Sequence, residues 1–380
     1  MARDLALGAG VCCVIYLDYQ ATTPLAPEAL DAMLPYLTTN FANPHSSHAM
    51  GRRAMAAVEV ARMQLASVCP DNGDVTFTSG ATEALNWAIK GSSGRIVTLA
   101  TEHAAVLDTV EAERASGRGV TILPVGSDGL VDMAVAAKAI TPETGLVVAM
   151  LVNNEIGVIQ SVAGLGALAR QAGALMLCDA VQGYGRFELP ANVDMIAISA
   201  HKIHGPKGIG ALWIRHGVEI SSLMHGGRQE EAGRSGTLSP MLCAGFGCAA
   251  ALMAATQVED NAHVERLWSL AKARFGQEWQ INGSAGHRYH GNLNIRRDGL
   301  DVARLMSDLR DIAFSAGSAC ASGSGRSSHV LRALGLSEAQ ARSSIRLGFG
   351  RYTSEAELTE AIDRIIAAAD AQQNSGGSAA

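Results

Sequence analysis

Only five of the 380 residues are lysines: Lys90, Lys138, Lys202, Lys207 and Lys272. A lysine becomes an imine-forming amine when desolvation and nearby cations lower its pKa. Lys202 stands in Ser199-Ala200-His201-Lys202-Ile203-His204-Gly205-Pro206-Lys207-Gly208, where an apolar run gives way to a Gly/Pro loop. Lys90, Lys138 and Lys272 lie on helical patterns and read as solvent-facing. By spacing alone, Lys202 could equally be an ordinary surface-loop lysine. Two further features favour chemistry. Leu175-Met176-Leu177-Cys178-Asp179 is an apolar run closed by a carboxylate, with Gln182 three positions on. An Asp at the carboxyl end of a parallel strand faces the crevice where α/β folds bind ligands. Thr78-Ser79-Gly80-Ala81-Thr82-Glu83 is a strand end opening into a helix through small residues, which makes a phosphate cradle of free N–H groups. It is neither a Walker loop nor a GxGxxG run. Together, a phosphate anchor, a carboxylate for a pyridine nitrogen and an imine-forming lysine specify pyridoxal 5'-phosphate better than any one of them does.

The elements that must position these residues alternate in type. Strands are predicted at 75–78, 95–100, 120–124, 145–152, 174–179, 194–200 and 210–215, with helices at 82–90, 104–115, 133–140 and 162–172 between the early ones. This pattern means right-handed βαβ units and a mostly parallel sheet covered on both faces. The link 201–210 is too short for a crossover helix, so the last two strands pair antiparallel or lie at an edge. After Pro240 a helix is expected to about Asn261. A smaller α+β unit follows, with strands at 292–295, 312–315 and 344–348 and helices at 302–310, 329–334 and 355–369. The expected division is a large domain over 16–255, a small one from 1–15 and 256–373, and a disordered tail over 374–380.

Composition sets outer limits. With 48% hydrophobic and 17% charged residues the chain can bury a dry core. A net charge of -6, with no basic run, argues against stable nucleic-acid or anionic-membrane binding. No stretch of about 18 apolar residues runs unbroken, so no membrane span is expected. The seven cysteines show no CxxC pair or framework spacing, which points to reduced thiols and a cytoplasmic location. No resident metal site is predicted.

With these residues in view, the chain resembles the class V aminotransferase-type pyridoxal phosphate enzymes, and among them the cysteine desulfurases of the NifS/IscS group. The likeness runs from about Ile15 to Ile366. It rests on Leu17-Asp18-Tyr19-Gln20-Ala21-Thr22-Thr23-Pro24, Asn43-Pro44-His45-Ser46-Ser47-His48, Thr78 to Glu83, Thr101-Glu102-His103 and Asn153-Asn154-Glu155-Ile156-Gly157. It continues through Asp179-Ala180-Val181-Gln182, Ser199 to Lys202, Arg234-Ser235-Gly236-Thr237, Gly317-Ser318-Ala319-Cys320 and Ser344-Ile345-Arg346.

The resemblance implies a fold-type-I transferase: a large domain with a mostly parallel seven-stranded sheet, and a smaller α+β domain carrying the cysteine. Lys202 would hold the cofactor and move protons at the substrate α-carbon. Asp179 would pair with the pyridine nitrogen, Gln182 and Asn154 would serve the phenolic oxygen, and His103 would stack on the ring and act as acid/base. Ala81, Thr82, Ser199 and His201 would hold the phosphate, and Thr237 would reach the phosphate of a neighbouring subunit, implying a homodimer. Arg346, with Asn154 beside it, would bind the carboxylate of L-cysteine. Cys320 sits among small residues without apolar periodicity, as an exposed nucleophile requires. It would take the sulfur as a persulfide, releasing alanine, and could touch a cluster iron during delivery. The acceptor would be an iron–sulfur scaffold or another sulfur carrier, with tRNA thiolation as the other outlet. Departures are local: Ala316, Ala321 and Ser322 stand where Ser and Thr-Ser are common, Glu231 and Ala232 stand where basic residues are frequent, and no long C-terminal docking segment follows the last helix. Selenocysteine lyase and class V transaminase are the neighbouring activities, and a non-catalytic scaffold or regulator of the same fold is the alternative of a different class. Cys12-Cys13 has no assigned role.

Overall fold

The computed structural model describes residues 14–317 and 327–376. A seven-stranded sheet organises the larger part. From one edge its strands are Gly73–Thr78, Gly210–Arg215, Met195–Ser199, Leu175–Asp179, Thr144–Met150, Arg95–Leu99 and Val120–Leu123. All pairings are parallel except those of Gly210–Arg215, which runs against both neighbours. The short 201–209 link leaves no room for a crossover, and the antiparallel pairing is its consequence. This strand lies one place in from the edge, because Gly73–Thr78 covers it.

Side chains alternate between the two faces. Val147 and Ala149 face one apolar cluster with Ile196 and Ile198, whereas Leu146 and Val148 face another with Met195 and Ala197. Burial on both faces explains why these strands read as continuous apolar runs rather than as polar–apolar alternation. Helices Ala81–Gly91, Ala104–Ala115, Met133–Ala139 and Val162–Ala172 connect the parallel strands. Every parallel strand therefore ends at the same edge of the sheet, and so does Gly73–Thr78, while the antiparallel Gly210–Arg215 begins there.

Two helices join this part from outside the alternating region: Pro27–Thr38, which contains Pro35, and Ala49–Ala66. Both pack on a long helix, Pro240–Phe275. That helix runs well past the expected end at Asn261 and passes residues 255 and 256 unbroken. Its first half buries Cys243, Phe246, Ala249 and Ala250 in the large core; its last turns bury Leu267, Trp268, Ala271 and Phe275 in a second core. The helix stops at Gly276, which adopts φ 67°. By length and composition it could cross a membrane, but its buried face is accounted for by these two cores.

The second core surrounds a four-stranded sheet ordered Ser315–Ala316, Ser344–Gly348, Asn292–Arg296 and Gln280–Ile281. Ile15 and Leu17 contribute to it from the start of the described chain. The single strand expected over 312–315 is divided: Ile312–Ala313 pairs with Ile15–Tyr16, Phe314 turns into the core, and Ser315–Ala316 joins the four-stranded sheet. A short helix, Glu338–Arg342, begins with a Ser337/Gln340 capping box, a spacing readable in the sequence. The last helix runs Glu355–Gly376, so residues 374–376 are helical where a tail is expected. Arg297 explains the extension: it holds Asp370 at 2.5 Å and Gln373 at 2.8 Å, tying the end of the helix to the small unit.

Candidate active site

A cavity of about 560 Å³ opens at the carboxyl edge of the large sheet. Ala81, Thr82, His103, Asn154, Asp179, Gln182, Ser199, His201, Lys202 and Arg346 all line it, although they come from six separate segments of the chain. Its size suits a cofactor with a small substrate.

At one end lies the start of the Ala81–Gly91 helix. Its N-cap is Gly80, which offers no side chain to the first-turn N–H groups. Donors of this kind at a helix start suit an anionic group such as a phosphate. Glu83 braces the turn: its carboxylate accepts the Ser79 N–H at 2.6 Å and pairs with Arg234 at 2.8 Å. Burial opposes ionisation of Glu83, yet Arg234 and Ser79 hold its pKa below the ordinary carboxyl range. Gly210 is forced by proximity, since a Cβ there would lie 2.6–2.8 Å from Ile198 O, Gly80 C and Ala81 N. His201 contacts the Thr22 hydroxyl at 3.2 Å, and burial, with Lys202 and Lys207 nearby, drives its pKa down to about 4. It is therefore neutral.

Lys202 ends a single 3-10 turn, Ala200–Lys202, directly after the Met195–Ser199 strand. Its Nζ donates to Gln20 O at 2.6 Å and to Ala21 O at 2.8 Å. Gln182 Nε2 donates to the same Gln20 carbonyl at 3.0 Å. The Gln20–Thr22 segment thus orients both lysine and glutamine. These residues sit in a motif the sequence displays, but their contribution is made by main-chain carbonyls, which no side-chain pattern signals.

Asp179 closes its strand at 5% exposure, with Oδ1 accepting the Val181 N–H at 3.0 Å. Burial raises its pKa, while His103 and Lys202 pull it down. A buried carboxylate on a cavity wall calls for a cationic partner, and a protonated pyridine nitrogen fits that need. His103 Nδ1 accepts the Ala105 N–H at 3.0 Å, which leaves the imidazole proton on Nε2. Burial lowers its pKa, against the opposing pull of Asp179. The donor set and the uncapped helix start therefore fit pyridoxal phosphate.

Arg346 reaches the cavity from the Ser344–Gly348 strand at 1% exposure. It donates to Asp18 Oδ1 at 2.7 Å, Asn154 O at 3.0 Å and Ser315 Oγ at 3.2 Å. Its Nε is buried with no hydrogen-bond partner among the described residues. A guanidinium expected to meet the substrate carboxylate is thus already oriented by Asp18, a residue in a quoted motif but without an assigned role. Lys207 and Gly208 also line the cavity. Thr237 is exposed and does not line it. Cys320, like Cys12 and Cys13, lies outside the described residues. Of the described cysteines, Cys69 and Cys243 are buried with thiol pKa values pushed up to about 12, and burial raises Cys178 and Cys248 too.

The family model for aminotransferase class-V matches residues 15–360. The chain belongs to that family. Within it, the chain is 42% identical over 373 residues to cysteine desulfurase IscS of Rickettsia felis, covering 94% of this chain and 91% of the relative. The X-ray structure of a NifS-like protein from Rickettsia africae superposes with a TM-score of 0.85 at 28% identity, covering 94% and 99% of the two chains. A structure described as SspA in complex with cysteine superposes with a TM-score of 0.79 at 32% identity, covering 89% and 99%. This class-V chain is a pyridoxal-phosphate-dependent enzyme of the cysteine desulfurase group.

Proposed function

We propose that this enzyme removes sulfur from L-cysteine, yielding L-alanine and a persulfide on Cys320. The observation that carries the reading is the convergence of Lys202, Asp179 and a buried, pre-oriented Arg346 on one cavity. Ala81, Thr82, Ser199 and His201 would hold the cofactor phosphate, Asp179 the pyridine nitrogen, and Gln182 and Asn154 the phenolic oxygen. When bound, pyridoxal phosphate supplies an electron sink for negative charge at the substrate α-carbon. Lys202 holds the cofactor and carries a proton to and from that carbon. His103, with Nδ1 accepting the Ala105 N–H, would stack on the cofactor ring and serve as acid/base. Arg346 clamps the substrate carboxylate with planar donors.

The Cys320 thiolate attacks the substrate sulfur. An S–S bond forms, the Cβ–S bond breaks, and its electron pair goes to Cβ, where a proton completes the alanine methyl. Thiol plus cysteine gives persulfide plus alanine, with no external oxidant or reductant. Thr237 would complete the phosphate site of a second copy, making the working unit a homodimer. The persulfide would pass to a sulfur acceptor, an iron–sulfur scaffold or a carrier for tRNA thiolation, in the cytoplasm. Incubation of the holoenzyme with L-cysteine is expected to give alanine together with a sulfur adduct on Cys320 by mass spectrometry. Cys320→Ser should stop both while the protein stays yellow. Undiminished alanine from Cys320→Ser would overturn the proposal.

A further inference from the structure

Glu155 is a buried carboxyl group that the chemistry above leaves unused. It sits in the tight turn that follows the Thr144–Met150 strand, where Asn153 Oδ1 accepts the N–H groups of Glu155 and Ile156 at 2.8 and 3.0 Å. Gly157, at φ 71°, closes the turn with its N–H on Asn153 O. Glu155 is therefore rigidly aimed, at 4% exposure. Its Oε2 accepts the hydroxyl of Ser328, and that hydroxyl accepts in turn the Leu331 N–H at 3.1 Å. Ser328 and Ser327 begin the described chain on the C-terminal side of the segment containing Cys320.

The N-terminal side of that segment meets the same turn. Asn294 Nδ2 donates to Glu155 O at 2.9 Å and to Gly317 O at 3.3 Å. Next to Ser328, the Nε2–H of His329 donates to Glu102 O at 2.9 Å, one residue before His103. The peptide unit ahead of Glu155 carries the Asn154 carbonyl, which accepts from Arg346. One turn thus accepts from the substrate-facing guanidinium through Asn154, holds the C-terminal flank of the cysteine-bearing segment through the Glu155 carboxyl, and reaches the N-terminal flank by way of Asn294. Burial raises the Glu155 pKa, while Ser328, His329 and Arg346 draw it down, in keeping with a carboxyl that has specific partners.

We propose that Glu155 is a positioning residue for sulfur transfer: through Ser328 it sets where the cysteine-bearing segment rejoins the fold relative to Arg346. The inference rests on the desulfurase reading and adds a residue that acts through others, without touching cofactor or substrate. Its signature is a split between two reactions of one holoenzyme. Exchange of the α-proton of L-alanine in D₂O needs the cofactor site but no thiol, whereas alanine formation from L-cysteine needs Cys320. Glu155→Ala and Ser328→Ala are expected to slow alanine formation roughly ten-fold while α-proton exchange stays within about two-fold of wild type. Glu155→Gln, which keeps an acceptor for Ser328, should recover most of the rate. In a double-mutant cycle the two alanine substitutions should be far less than additive. Unchanged alanine formation in both variants, or equal loss of both reactions, would overturn the positioning role. Absence of alanine from the wild type would instead defeat the desulfurase reading on which it rests.

Discussion

Glu102 stands beside His103 in the Thr101-Glu102-His103 motif, where the sequence assigns it no role. In the structure it is wholly buried, with Oε1 accepting the Met150 N–H at 2.9 Å and Oε2 lacking any partner among the described residues. Burial, reinforced by Asp179, raises its pKa well above the carboxyl range. Burial therefore favours the neutral form of Glu102. The sign of the pH effect follows. A raised folded-state pKa contributes stability that is complete below the unfolded value, roughly 4.3, and is lost as pH rises through the folded pKa. Glu102→Gln removes that titration, so urea melts of the apoprotein should show the variant gaining on wild type as pH rises above about 4.3. A pH-independent difference would mean that Glu102 does not titrate in this way. Arg346 makes the complementary case: its type and motif were readable, but its pairing with Asp18 joins residues 328 positions apart.

At the scale of elements, the central strands and their helices were legible because burial on both sheet faces writes long apolar runs into the chain. The outer helices Pro27–Thr38 and Ala49–Ala66 were not, since their partner is the distant Pro240–Phe275 helix. The junction between Gly210 and the Ala81 turn is equally non-local, as is the Arg234–Glu83 pair that braces it. Gly210→Ala tests that junction. The added methyl meets three backbone atoms, which cannot swing aside, so the turn itself must move. The expected cost is about 1–3 kcal/mol of stability. Retention of pyridoxal phosphate should fall at least roughly ten-fold in an absorbance titration, because the displaced N–H groups are the proposed phosphate cradle. Unaltered cofactor affinity would show that the turn does not carry the phosphate.

For the whole molecule, the Pro240–Phe275 helix contributes to both cores, and Ile15 and Leu17 enter the second from the start of the described chain. Arg346, from the four-stranded sheet, lines the same cavity as Lys202 and Asp179, which follow and close strands of the seven-stranded sheet. Thr237 is exposed and does not line the cavity, and its proposed place in a second copy's site can be tested directly. If it serves a second copy, protomers bearing Lys202→Ala and protomers bearing Thr237→Val should complement each other. A hybrid dimer has one site with an intact lysine and an intact threonine from across the interface. Random re-association should then restore about one quarter of wild-type sites, measured as alanine formation after co-refolding. No recovery beyond the unmixed variants would place Thr237 in its own subunit's site or in none.

The sequence by itself determined the chemistry on offer. Five lysines, one strand-end aspartate and one small-residue turn before a helix named a cofactor, because each reports a local requirement of charge, reach or backbone freedom. It also determined the alternating α/β plan, since periodic burial is local information. The tertiary structure decided everything that depends on contact across the chain: the Gln20 and Ala21 carbonyls on Lys202, Asp18 on Arg346, the burial of Glu102, and the Glu155 turn that meets both flanks of the Cys320 segment. Those partners act through backbone atoms or through side chains whose burial is unknown until the fold is formed. Residue type constrains what a group can do; only packing settles which group it does it to.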